Sequence, residues 1–155
     1  MPFFYDTLDT PIGMLTLEAD DTHLLKVAYD HSPIKPHPNP ITTACKAQLQ
    51  EYFSGKRTHF DVPLKFQGTA FQEQAWQALL GIPFGETTTY GQQAHHMGNP
   101  KAVRAVGAAN GKNKINIVVP CHRIVGAKGA LTGYGGGLER KQWLLDHEQK
   151  IALKM

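Results

Sequence analysis

The chain has 155 residues, 41% hydrophobic and 19% charged, enough for one sizeable core or two small domains sharing an interface. No apolar run approaches the roughly 20 residues that span a bilayer, and MPFFYDTLDT lacks a basic stretch followed by an apolar one, so a cytoplasmic protein is expected. Net charge is +3 but uneven: residues 1–68 carry six Lys/Arg against eight Asp/Glu, whereas residues 69–155 carry ten against five, which suits a polyanionic partner for the second half.

Within the first thirty residues, MLTLEA and LLKVAY alternate as short strands on either side of DDTH. Pro11 and Gly13 make an earlier turn, and together these predict a small antiparallel meander. HSPIKPHPNP, with four prolines in ten residues, reads as a loop. From Thr42 or Thr43, TTACKAQLQEYFSGK reads as a helix with a threonine cap and Gly55 as its stop. Its apolar stripe is Cys45, Leu49, Tyr52 and Phe53, so Cys45 is expected to be a buried, inert thiol. Thr69 caps the next helix, AFQEQAWQALLGIPFG, whose stripe is Phe71, Ala75, Trp76, Leu79 and Leu80 and whose end is set by Gly81 and Pro83. YGQQAHHMG predicts a short helix, and Asn99 with Pro100 take the cap and first-turn positions of another, KAVRAVGAANG. Two short helices around a Gly-Asn turn form a helix-turn-helix pattern. INIVV predicts a short strand or buried extended run. GLERKQWLLDHEQ predicts a final amphipathic helix with Leu138, Leu144 and Leu145 facing inward.

The second helix of the pair is built from small residues: Ala102, Val103, Ala105, Val106, Gly107, Ala108 and Ala109 surround a single Arg104. A helix that reads bases in the major groove usually presents several long polar side chains. Two readings follow. The helix packs tightly on its neighbours with Arg104 in a surface ion pair, or its small side chains let the backbone approach a duplex while Arg104 reaches into the stack.

Two cysteines, Cys45 and Cys121, are too few for a disulfide framework. There is no C-x-x-C pair, and the adjacent His95 and His96 lack the spacing that places two ligands on one helix face, so no metal is expected. Cys121 stands directly before His122 in IVVPCHRIVG. A thiol near its ordinary pKa of about 8.5 is mostly protonated at neutral pH, whereas the thiolate is the nucleophile. A histidine can take the proton, and a carboxylate can orient the histidine. Successive side chains on a strand point apart, but Pro120 ends strand bonding and permits a bend through which the pair can meet, directly or through water. Glu139, Asp146 and Glu148 on the last helix are the candidate carboxylates, and spacing does not choose among them. The glycine-rich GALTGYGGG brings backbone N–H groups close to a ligand or lets a lid move, and is not a dinucleotide fingerprint. From residues alone, Cys121 is a nucleophile whose electrophile is unspecified.

IVVPCHRIVG, preceded by RAVGAANGKN and followed by TGYGGG and RKQWLLDHE, resembles the O6-alkylguanine-DNA alkyltransferases, the methylated-DNA–protein-cysteine methyltransferases of direct-reversal repair, in their single-unit bacterial form. The resemblance covers residues 69–150 strongly and the N-terminal half weakly. It implies an α/β N-terminal subdomain over residues 1–66, ribonuclease-H-like with a small antiparallel sheet. Residues 67–155 would form a mainly α subdomain with a winged-helix-like helix-turn-helix, binding DNA and carrying the alkyl acceptor. The protein would be a monomer without a cofactor, and its partner duplex DNA met through the minor groove.

By the same resemblance, Cys121 accepts the alkyl group from O6 of guanine, and less readily O4 of thymine, in one irreversible step that consumes the protein. His122 acts through water as its base, and Glu148 completes the relay. Asn113 braces the turn between the recognition helix and the acceptor. Tyr90 crowds the 3′ phosphate and bonds the base. Arg104 fills the gap left by the flipped nucleotide, with Ala102, Ala105, Gly107, Ala108 and Arg123 also on the DNA side. Tyr134, Gly135, Ile124 and Lys141 line the guanine pocket. Gly135 stands where many relatives carry a hydroxyl side chain, and Asn116 where some carry proline. Alkyltransferase-like lesion sensors carry tryptophan at the cysteine position, so Cys121 separates the chain from them. The rival readings are a lesion-recognition protein without transfer activity and a thiol hydrolase or redox protein with a small substrate.

Overall fold

The structure, a computed structural model, describes residues 3–29 and 35–155. The chain divides into two compact units, one of residues up to Gln67 together with Lys114–Val118, the other of Gly68–Asn113 and Val119–Met155. The division is therefore not a single cut near residue 66: a five-residue segment of the second half belongs to the first unit.

In the first unit, β1 (Phe4–Thr10), β2 (Gly13–Ala19) and β3 (Leu24–Tyr29) form an antiparallel sheet in the order β1-β2-β3. Leu15, Leu17 and Ala19 of the central strand are fully buried, as an alternating strand covered by a helix requires. That helix, α1 (Pro40–Phe53), packs on the sheet through Thr42, Cys45, Leu49 and Tyr52. It starts earlier than the threonine reading placed it. Asn39 is the cap, its side chain accepting from the Thr42 backbone while the Thr42 hydroxyl accepts from the Asn39 backbone, and Pro40 occupies the first turn, where its missing N–H costs nothing. So the proline-rich run ends as a helix start. Residues 35–39 form one bridge, His37 with Tyr5, and the rest of that run, residues 31–34, lies outside the described residues.

The second unit holds α2 (Ala70–Leu79), α3 (Tyr90–His96), α4 (Val103–Gly111) and α5 (Leu138–Ala152). β4 (Thr88–Thr89) and β5 (Ile124–Val125) pair in parallel. Thr69 caps α2 as the sequence predicts, and Thr89 caps α3 with Gln92 completing a capping box. α3 ends in a left-handed Gly98 (φ 77°), whose N–H reaches the His95 carbonyl while the Asn99 N–H reaches Ala94. Only glycine takes that conformation at no steric cost. Asn99 and Pro100 thus belong to the turn rather than to the next helix. α4 begins at Val103, with Ala102 as an N-cap that makes no side-chain bond. The helix is held instead by its neighbours: Trp76 Nε1 donates to the Ala109 carbonyl at 2.8 Å, and the buried amides of Gln93 and Asn110 bond each other reciprocally at 3.0 and 2.7 Å.

Three further expectations are corrected. INIVV is not a strand: Ile115 makes one bridge to Val27, and Asn116–Val118 is a turn with Ile117 in the left-handed region (φ 71°). β-branched propensity predicts extension here, but the buried side chains of Ile115, Ile117, Val118 and Val119 are satisfied by packing rather than by a ladder. Leu80, at the C-cap of α2, and Leu138, the first residue of α5, are exposed because each lies past the turn that faces the core; Leu144 is fully buried. Among the described residues no helix is long and apolar enough to cross a membrane.

Candidate active site

The turn at Ile117 and the bend at Pro120 deliver the chain into a 3-10 turn, Cys121–Arg123, followed at once by β5. The Cys121 N–H closes on the Val119 carbonyl at 2.8 Å, and all three side chains of the turn are buried. Asn113, just past the end of α4, braces this bend: its Nδ2 donates to the Val119 carbonyl at 2.9 Å and to Cys121 Sγ at 3.3 Å. Burial pushes the Cys121 thiol up, against the Asn113 hydrogen bond and the Lys141 charge, which lower it. The net direction is upward, so the resting group is a thiol and its proton must leave as a bond to sulfur forms.

His122 is fully buried. Its Nε2 meets Glu148 Oε2 at 2.7 Å, and its Nδ1 has no hydrogen-bond partner among the described residues. Of the three candidate carboxylates, Glu148 is the buried one; Glu139 and Asp146 are exposed. Burial pushes the Glu148 carboxyl up, but the charges and hydrogen bonds of His122 and Arg123 outweigh it and hold the group well below the usual carboxylate range. An ionised Glu148 accepts, so the Nε2 hydrogen lies on His122, and in a neutral ring the lone pair is on Nδ1. Burial also pushes the imidazole down, opposed by Glu148 and assisted by Arg123 and Lys141.

Arg123, expected among the DNA contacts, is turned into the fold. It is buried, donating from Nε to Glu148 Oε1 at 2.7 Å, from Nη2 to Oε2 at 3.0 Å and from Nη1 to the Ile82 carbonyl at 2.7 Å, with its guanidinium over the Phe84 ring. Three of its five N–H donors are thereby committed inside the fold, two of them to one carboxylate.

The glycine-rich loop is tied to the helices at Thr132, which the sequence pattern did not single out. Thr132 Oγ1 lies 3.0 Å from the Tyr90 hydroxyl, and its carbonyl accepts from Lys141 Nζ at 3.1 Å, with Gly133 accepting at 3.4 Å. Nothing in GALTGYGGG marks a lone hydroxyl as an anchor. Burial pushes the Lys141 ammonium down, and the nearby Cys121 raises it. Tyr134 sets its ring edge-on to His122 with centroids 6.5 Å apart; Ile124 is buried and Gly135 is exposed. The structure thus gathers Cys121, His122, Glu148, Asn113, Lys141 and Tyr134. Tyr90 joins through Thr132.

On α4, Arg104, Ala105 and Ala108 are exposed, while Ala102 and Gly107 are partly so. Gly107 faces the Tyr90 ring, and a Cβ there would sit 3.7 Å from it. Arg104 has no ion-pair partner among the described residues, so the surface-pair reading finds no support.

Two family models match the chain: 6-O-methylguanine DNA methyltransferase, ribonuclease-like domain, over residues 3–66, and 6-O-methylguanine DNA methyltransferase, DNA binding domain, over residues 70–150. The Methylated-DNA--protein-cysteine methyltransferase of Mycobacterium tuberculosis is 49% identical over 154 residues, covering 96% of this chain and 93% of that protein. The crystal structure of Mycobacterium tuberculosis O6-methylguanine methyltransferase superposes with a TM-score of 0.87 at 46% identity, over 96% of this chain and 94% of that one. That of Mycobacterium tuberculosis OGT in complex with DNA gives 0.87 at 48% identity, over 95% and 93%. With both halves matched and a curated relative close along almost the whole length, the chain belongs to the 6-O-methylguanine DNA methyltransferase family.

Proposed function

We propose that this protein repairs alkylated DNA by direct reversal, Cys121 taking the alkyl group from O6 of guanine in a single irreversible turnover. The observation that carries the assignment is the buried constellation around Cys121: a protonated thiol held by Asn113, next in sequence to a histidine whose free Nδ1 is backed by an ionised carboxylate. His122 takes the Sγ proton, directly or through one water. The sulfur lone pair forms the S–C bond and the C–O6 bond breaks with its electrons on the purine. The purine ends as neutral guanine after taking up one proton, which balances the one lost by sulfur.

O6 is inaccessible within a duplex, so the nucleotide must leave the stack at a cost of a few kcal/mol. Arg104, exposed on a helix of small side chains, is the residue we assign to the vacated space, with Ala102, Ala105, Gly107 and Ala108 giving the backbone close access to the minor groove. Tyr90 crowds the adjacent phosphate, and Tyr134, Gly135, Ile124 and Lys141 line the base pocket. Residues 68–155, apart from 114–118, then carry both DNA contact and acceptor. We also propose a monomer located in the cytoplasm, in keeping with DNA as the substrate.

Intact mass after incubation with an O6-methylguanine duplex tests the assignment. One methyl group should be gained per chain, on the Cys121 peptide, and none by Cys121→Ser. Binding without mass gain would make the protein a lesion recogniser. Turnover beyond one equivalent, or without DNA, would make it a thiol hydrolase.

A further inference from the structure

The Cys121–His122–Glu148 relay explains how a proton leaves the thiol but not why His122 is free to receive it. A lone carboxylate 2.7 Å from a buried imidazole favours the doubly protonated, cationic ring, and an imidazolium has no lone pair to offer. In this structure the carboxylate is not alone. Arg123 takes both Glu148 oxygens with a planar fork, at 2.7 and 3.0 Å, and is itself fixed by the Ile82 carbonyl and the Phe84 ring.

We propose that Arg123 is a positioning residue for alkyl transfer, clamping Glu148 against His122 and cancelling its charge, so that His122 rests as a neutral base with its lone pair on Nδ1. This rests on the reading of Cys121 as acceptor and His122 as its base. Among the described residues, three charged groups bear on His122, and two uncharged ones face it. From α5, Glu148 favours the cation and Lys141 opposes it. From its own turn, Arg123 opposes it, and Cys121 is neutral at rest. The glycine-rich loop contributes the uncharged edge of Tyr134. Burial, the largest influence, also opposes the cation. Arg123 is the member of this set that acts twice, through its own charge and by offsetting that of Glu148. Its place in the sequence, directly after the base, lets one short turn supply nucleophile, base and compensating cation.

Removing the guanidinium should unmask Glu148 and favour the imidazolium. In Arg123→Met, the acidic limb of the single-turnover pH–rate profile should move to higher pH by about 1 to 3 units, the range an adjacent opposite charge commands. The rate deficit should be largest below neutrality and close as pH rises. Adding Glu148→Gln removes the unmasked charge and should return the limb towards its original position. Because Arg123→Met strips a buried carboxylate of its guanidinium and can unfold the unit, the wild-type protein supplies an independent reading. Its His122 ring nitrogens, followed by nitrogen NMR through the titration, should show the neutral ring with its hydrogen on Nε2 at pH 7. An imidazolium at pH 7, or a loss of rate by the same factor at every pH, would overturn the proposal. If the wild-type protein gains no methyl on Cys121, the alkyl-transfer reading itself fails, which the mass measurement reports separately from the position of the limb.

Discussion

Glu148→Gln isolates the energetics of the buried cluster. The carboxylate receives hydrogen bonds from Arg123, at both oxygens, and from His122, and it is 1% exposed. Glutamine keeps the shape but sets an amide donor against a guanidinium or imidazole donor, and it leaves Arg123 as a buried cation without a counter-charge. Breaking one side of a buried ion pair costs about 3–5 kcal/mol. Arg123 keeps the Ile82 carbonyl and the Phe84 face, so the lower end, about 3 kcal/mol, is expected. Both tryptophans, Trp76 and Trp143, lie in the second unit, so urea unfolding followed by tryptophan fluorescence reports on that unit alone. Its midpoint should fall by roughly 1–2 M. In an Arg123→Met background the further cost should be much smaller, because no cation is left stranded. The pH dependence has a definite sign. Burial opposes ionisation of Glu148, but His122 and Arg123 prevail, so the folded carboxyl titrates below its ordinary 4.5. Its contribution is then complete above about pH 4.5 and shrinks as pH falls towards the folded value, so the penalty of Glu148→Gln should be smaller at about pH 3 than at pH 7. A loss under about 1 kcal/mol at pH 7, or an equal loss with and without Arg123, would refute the reasoning.

Arg104→Ala should slow repair of duplex DNA by about tenfold or more while leaving reaction with free O6-methylguanine nearly unchanged, since the side chain is assigned to the stack and not to the chemistry; equal effects in single-turnover assays on the two substrates would remove it from the flipping step. Asn113→Ala deletes the donor to Val119 and to the sulfur, so it should lower stability by about 1–3 kcal/mol and also slow methyl transfer. A melt with unchanged midpoint and an unchanged transfer rate would show that the bend needs no brace.

Much of the architecture was legible because it is local. Thr69 caps the helix that follows it, Gly55 ends the one before it, the Gly-Asn turn closes α3, and the strand alternation around DDTH survives in the sheet. The errors share a cause. Asn99 and Pro100 look like a helix start, but the left-handed Gly98 spends them on closing α3, and α4 relies on Trp76 and Gln93, partners distant in sequence. INIVV has strand propensity and no strand, because its bonding partner is one bridge at Val27. At the site, Cys121 and His122 announce themselves as neighbours, yet choosing Glu148 over Glu139 and Asp146 needs the tertiary fold or the family resemblance. The engagement of Arg123 was hidden for the same reason: a basic residue in a basic half shows no carboxylate partner until the fold brings Glu148 to it.

The direction of Arg123 follows from the shape of three residues. On a strand, His122 would point to one face and Cys121 and Arg123 to the other, so no single carboxylate could take hydrogen bonds from both His122 and Arg123. In a 3-10 turn successive side chains are about 120° apart, and two neighbours can converge on one group while the third points elsewhere. That is the arrangement here: Glu148 is shared by residues 122 and 123, and Cys121 is left to Asn113. The left-handed Ile117 and the bend at Pro120 are what convert an apparent strand into that turn. A β-branched residue in the left-handed region costs on the order of 1–3 kcal/mol. The packing around it holds it there: Ile117 is buried, and so are Ile115 and Val118 beside it.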